Sequence, residues 1–179
     1  MNKLILITIA VVLTQVSFAN AADFYDFKIK DTSGEVYSFS KLKGKVVILS
    51  NIATRCGFTG QLDDLEKVYL KYKDKNLVVV GIPSNDFLSQ TPEANKEVAN
   101  FCRLKYGVTF PILEKQIVVG DNASELIKWI HTQKGYEGKI LWNFEKFIVD
   151  KNGKVMERFR SMTNPSDSDF IKSIEKYLN

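Results

Sequence analysis

Histidine is almost absent from the 179 residues and cysteine nearly so: there is His131, and there are Cys56 and Cys102. One histidine on an expected helix, far in sequence from Cys56, argues against a cysteine–histidine hydrolase. It also leaves too few ligands for a zinc site, so no metal is expected. No glycine-rich phosphate loop is present, and no cofactor is expected. Position 59 is threonine, so Cys56 lacks the partner of a Cys-x-x-Cys redox motif. Proline and glycine mark turns without gathering into a linker. With no internal repeat or low-complexity tract, residues 22–179 read as one domain. Neither sign of charge dominates, the net being +4. Basic residues sit beside acids, as in Glu66-Lys67, Asp74-Lys75 and Glu145-Lys146, the pattern of a solvated face. No basic block is interleaved with aromatics, so no nucleic-acid partner is expected.

The chain has one long apolar run, at 4–18, preceded by Lys3 and followed by Ala19-Asn20-Ala21. It falls short of the roughly 20 residues of a membrane-spanning helix. With its basic start and small-x-small end, 1–21 reads as a secretory signal peptide cleaved after Ala21. The protein is then exported: periplasmic in a bacterium, on the secretory route in a eukaryote. In that setting two cysteines have two readings, a structural disulfide or redox chemistry.

The rest alternates in type. Segments 27–30 and 36–39 flank the turn Asp31-Thr-Ser-Gly34 and predict a hairpin, with a short helical turn at 40–44. The β-branched run Val46–Ile52 and its counterpart Leu77–Pro83 predict buried strands. Apolar spacing predicts helices over 61–73, 92–106 (opened by Pro92), 122–134 and 165–178. Residues 109–113 read as extended, and 144–149 with 154–160 as a hairpin about Asp150-Lys-Asn-Gly153. This order predicts an α/β thioredoxin-like fold, a central mixed sheet flanked by helices with an N-terminal β-hairpin. In such sheets chemistry gathers where parallel strands end at their carboxyl side. Cys56 and the loop from Asn85 both follow such ends. Cys56 stands at a strand-to-helix turn, where the unpaired N–H groups and dipole of a helix start favour thiolate, and Arg55 is beside it.

Three segments occur in order: Asn51-Ile-Ala-Thr-Arg-Cys56-Gly-Phe-Thr59, Gly81-Ile-Pro-Ser-Asn-Asp-Phe-Leu-Ser-Gln90-Thr-Pro92 and Trp142-Asn-Phe-Glu-Lys-Phe147. Together with Phe101-Cys102 and Tyr106-Gly-Val-Thr-Phe-Pro111, the set resembles the cysteine-containing form of the glutathione peroxidase family across nearly all of 24–178. The resemblance makes Cys56 the peroxidatic cysteine and Gln90, Trp142 and Asn143 the polar residues around it. Amide and indole N–H groups at a sulfur can stabilise charge developing on oxygen without ionising. Cys102, on the apolar side of the 92–106 helix, matches the resolving cysteine of thioredoxin-dependent relatives, half-buried and out of reach of Cys56 until the helix unwinds. The implied substrates are hydrogen peroxide and organic or membrane-lipid hydroperoxides, and the implied reductant is a thioredoxin-like donor or glutathione.

Some positions depart from the family pattern. Ser84 replaces a common cysteine, Asp86 and Thr91 stand where Gln and Glu are frequent, and Glu93-Ala94 replaces a Gly-Ser pair. The stretch between His131 and Trp142 is short, which by resemblance implies a monomer. The competing reading, from the cysteine count alone, is a non-catalytic secreted thioredoxin-fold protein stapled by Cys56–Cys102.

Overall fold

The computed structural model describes residues 23–179, so the signal peptide expected at 1–21 lies outside the described residues. Strand β3 (Val46–Ile52) and strand β4 (Leu77–Pro83) are buried at every position. They pair in parallel from Val46↔Leu77 to Ile52↔Pro83. Continuous β-branched runs suit this place, because a parallel strand here has both faces covered. Strand β5 (Lys146–Val149) pairs antiparallel with β3, and β6 (Val155–Phe159) with β5, giving the mixed order β4-β3-β5-β6. The hairpin of β1 (Lys28–Lys30) and β2 (Val36–Ser38) forms a separate two-stranded sheet.

Alternation along β3 splits the core in two. Val46, Ile48 and Ile52 face a layer built by α1 (Gln61–Tyr72), α2 (Asn95–Tyr106) and α4 (Ser168–Leu178). Val47 and Leu49 face Phe24, Phe39 and helix α3 (Glu125–His131). Among the described residues no helix is long and apolar enough to cross a membrane.

The expected elements are present, with shorter bounds. Helix α2 starts at Asn95 instead of 92: Ala94 is extended (ψ 158°), and the Glu97 carboxylate accepts the Ala94 N–H at 3.0 Å, which closes the helix there. Helix α3 is limited to Glu125–His131. The segment expected to be extended at 109–113 contributes only the isolated bridges Gly81↔Ile112 and Asp31↔Leu113. β5 begins at Lys146 because Phe144 has φ +65°, outside the strand region.

One charge pair read as solvated is buried, and half of a second. Glu145 and Lys146 are both fully buried, and Glu66 is buried with its carboxylate accepting both the N–H and the hydroxyl of Thr109, while Lys67 stays exposed beside Asp63. Adjacent opposite charges look alike in sequence whether they face water or partners inside; here the partners are distant in sequence.

Candidate active site

Beyond the end of β3 the chain makes a tight turn over 54–60. Its centre is the Thr59 hydroxyl, which accepts the Cys56 N–H at 3.0 Å and lies 3.0 Å from the Ala53 carbonyl and 2.8 Å from that of Cys56. Cys56 is 9% exposed, and its Sγ accepts the Phe58 N–H at 3.5 Å. The first amides of α1 are already used: those of Gln61, Leu62 and Asp63 donate to the carbonyls of Phe58, Thr59 and Gly60 at 2.9–3.1 Å. The sulfur therefore receives a turn N–H, and not the unpaired helix-start groups that the strand-to-helix junction suggested. Gly60, in helical conformation (φ −57°, ψ −23°), carries the winding back into the turn and satisfies those donors internally.

The loop after β4 is tied to this turn. The Arg55 N–H donates to the Gln90 carbonyl at 3.0 Å, and the Thr54 hydroxyl lies 3.1 Å from the same oxygen. Leu88 (φ +53°) and Ser89 (φ +52°) both take left-handed backbone, which turns Gln90 back toward the Cys56 turn. One turn on, the Glu93 carboxylate accepts from the Thr54 hydroxyl (2.6 Å) and from Arg55 Nε (2.8 Å). Burial alone would raise the Glu93 carboxyl, but the donors from Thr54, the backbone and Arg55 outweigh it and hold the group below the usual range. The departure at Glu93 from the family's Gly-Ser thus has a visible consequence, a clamp between the two loops.

Trp142 and Asn143 arrive from the other side of β3, positioned by Asn51. The Asn51 side chain donates to the Trp142 carbonyl (3.1 Å) and accepts the Glu145 N–H (2.9 Å), and its carbonyl accepts the Phe144 N–H (2.6 Å). Asn143 is fully buried, and its Nδ2 donates to Gln90 Oε1 at 3.0 Å; its own Oδ1 is buried without a protein partner. The Trp142 ring packs against Phe87 with centroids 5.4 Å apart. With Phe58, Leu141 and Met162 it gives an apolar side to a shallow groove beside the Cys56 turn, whose lining also includes Glu145, Arg160 and Ser161. Gln90 is thus tied to the Cys56 turn through its carbonyl and to Asn143 through its side chain, and Trp142 shares a groove with Phe58 of that turn. The role of Asn51 was not read from the sequence, although a lone amide inside an apolar strand, opening the cysteine motif, was the available signal.

Cys102 lies on α2 and is 1% exposed, fully buried where the sequence suggested half-buried. Burial pushes its thiol up to about 12, far more than Arg103 lowers it. Both cysteines are free thiols and belong to the same core cluster. His131 is partly buried on α3, where its Nε2 accepts the Ile140 N–H at 3.4 Å. Among the described residues no three His, Cys, Asp or Glu side chains gather as a metal would require.

The family model described as Glutathione peroxidase matches residues 24–131. The chain belongs to the glutathione peroxidase family. Within that family it is 49% identical over 150 residues to the glutathione peroxidase-like peroxiredoxin 2 of Saccharomyces cerevisiae, covering 82% of this chain and 92% of that protein. It is 44% identical over 158 residues to the glutathione peroxidase of Lactococcus lactis subsp. cremoris, covering 87% and 99%. A solved structure of Trgpx in apo form superposes with a TM-score of 0.70 at 35% identity, covering 88% of this chain and 97% of that one.

A thioredoxin-family thiol:disulfide interchange protein from Chlorobium tepidum TLS superposes with a TM-score of 0.65 at 23% identity, over 90% and 99% of the two chains. This glutathione peroxidase family member therefore has the thioredoxin-like fold expected from its element order. Membership leaves the reading of a non-catalytic, stapled protein without support.

Proposed function

We propose that the protein is a thiol peroxidase that reduces hydrogen peroxide and organic hydroperoxides at Cys56. The observation that carries this is the bond from Asn143 Nδ2 to Gln90 Oε1, which assembles a polar frame from two distant loops at the turn of a buried cysteine. The Cys56 thiolate attacks one peroxide oxygen, the O–O bond breaks, and the departing alkoxide or hydroxide takes a proton to leave as alcohol or water. The amide of Gln90 and the indole of Trp142 serve the oxygen on which charge develops, while Asn143 keeps Gln90 oriented.

The resulting sulfenic acid is attacked by the sulfur of Cys102. An S–S bond forms, the S–O bond breaks, and the Cys102 proton leaves with the hydroxyl as water. Disulfide geometry needs Cα atoms about 4.4–6.8 Å apart, so burial of Cys102 inside the α2 packing calls for local unwinding of that helix in each cycle. A dithiol donor then restores both thiols. The presence of Cys102 favours a thioredoxin-like protein over glutathione. The groove of Phe58, Leu141, Trp142 and Met162 supports acceptance of bulky lipid hydroperoxides. We place this chemistry outside the cytosol, as a monomer released by cleavage after Ala21.

The test is steady-state peroxide reduction by the mature protein with a thioredoxin system or with glutathione as the sole reductant. Activity with thioredoxin that disappears in Cys56→Ser, and falls steeply in Cys102→Ser, supports the reading. Equal activity in Cys56→Ser overturns it.

A further inference from the structure

We infer that Glu145, locked by Arg158, is a positioning residue that sets Trp142 and Asn143 against Cys56. Glu145 is fully buried, yet its carboxylate serves no solvent-facing role and no step of the reaction above. Its Oε1 accepts the backbone N–H of Leu141 at 2.7 Å, the residue before Trp142. Its Oε2 takes the Arg158 fork, at 3.0 Å from Nε and 2.9 Å from Nη2, and Arg160 Nη1 reaches both oxygens at 2.9 and 3.0 Å.

The Arg158 guanidinium, its side chain 6% exposed, lies 5.0 Å over the Phe147 ring. Its three remaining N–H groups face four carbonyls: Nη2 donates to Lys139 (2.6 Å), and the two Nη1 hydrogens are shared among Tyr136 (3.1 Å), Glu137 (2.9 Å) and Gly138 (2.8 Å). A planar fork saturated in this way has one low-energy arrangement, which a lysine cannot reproduce. The 136–141 segment is irregular, with Gly138 at φ +97°, and makes no strand pairing that would fix it by itself. Glu145 and Arg158 supply what sheet hydrogen bonds supply elsewhere. On the far side Asn51 holds the Trp142 carbonyl and the Glu145 N–H. The Trp142–Asn143 pair is thereby gripped at both ends.

The consequence is catalytic, because a displacement of about 1 Å in a positioned donor costs on the order of a hundredfold in rate. The inference rests on the proposed roles of Trp142 and Asn143, and a mutant cycle separates the two claims. We expect Glu145→Gln to lower the second-order rate constant of reduced protein with hydrogen peroxide by about tenfold to a hundredfold. In the Trp142→Phe/Asn143→Ala background the same change should have less than about a twofold effect, since the groups it positions are gone. Arg158→Lys, which keeps the charge and loses the fork, should follow the same pattern and serves if Glu145→Gln does not fold.

A direct spectroscopic reading uses Trp129→Phe, which leaves Trp142 as the one indole. Its emission should shift in Glu145→Gln while the far-ultraviolet dichroism stays unchanged. Equal losses in both backgrounds, or an unmoved Trp142 emission, would overturn the inference. If Trp142→Phe/Asn143→Ala itself reacts at the parent rate, the proposed roles of those two residues fail instead.

Discussion

Asn143 Nδ2 donates to Gln90 Oε1 at 3.0 Å, a bond between side chains 53 positions apart that joins the loop after β4 to the segment before β5. Asn143 is fully buried and Gln90 only partly so; the proposed chemistry therefore gives the first the role of frame and the second that of meeting the oxidant. Two residues sharing one bond lose it together. Asn143→Ala and Gln90→Ala should each slow the reaction of Cys56 with peroxide, by about 10²-fold on the scale of a lost transition-state donor. The double variant should fall little further than the worse single one. Stopped-flow rates for the three variants check this; multiplicative losses would show that the residues act separately.

The Glu93 clamp on Thr54 and Arg55 ties the segment ahead of α2 to the Cys56 turn. Arg55 is largely exposed, so the ion pair itself contributes little, and the shorter Thr54 bond carries most of an effect of about 1 kcal/mol. Glu93→Ala should therefore loosen the start of α2 and speed formation of the Cys56–Cys102 disulfide after a peroxide pulse by several-fold. Quenched-flow alkylation measures that rate. A slower appearance of the disulfide would mean that the clamp promotes resolution.

Cys102 provides a pH signature. Its folded thiol ionises near 12 and an ordinary one near 9.0, so between these values the unfolded chain gives up the proton more readily. Stability due to this group is thus intact below about 9 and falls as pH rises toward 12. Reduced protein should lose stability over that interval more steeply than Cys102→Ala, as measured by urea midpoints. Matching slopes would contradict the burial argument.

Lys146 has the opposite sign in a lower window. Burial pushes its ammonium group from 10.5 down to about 7, with Asp167 and Glu145 offsetting only part, and its Nζ donates to the Thr163 carbonyl. Between about 7 and 10.5 the unfolded chain binds the extra proton. Stability should therefore rise as pH climbs from 7 to 9, and this rise should be absent in Lys146→Met. Melting temperatures of the two proteins across that range test it; parallel curves would place the charge of Lys146 outside the folding equilibrium.

The strands and helices were legible because their signals are local. The β-branched runs at Val46–Ile52 and Leu77–Pro83 and the helical stripe beginning at Leu62 each carry their own period. Cys56, Gln90, Trp142 and Asn143 were legible through ordered motifs that resemble a family. Asn51, Glu93, Glu145 and Arg158 were not, because their meaning lies in partners 13 to 94 positions away or in carbonyls of an irregular loop. Glu145 beside Lys146 illustrates the limit: an apparent surface ion pair in sequence is two buried groups with different partners in space.

In the proposed cycle Cys56 takes the oxidising oxygen and Cys102 resolves it. The most direct test is mass spectrometry of the fully reduced, mature protein after one equivalent of hydrogen peroxide. The expected product is a protein lighter by two hydrogens with a single Cys56–Cys102 disulfide. Cys102→Ser should stop as a Cys56 sulfenic acid that dimedone traps, and Cys56→Ser should remain unchanged. Two unmodified thiols after the peroxide has been offered, or oxidation that begins at Cys102, would contradict it.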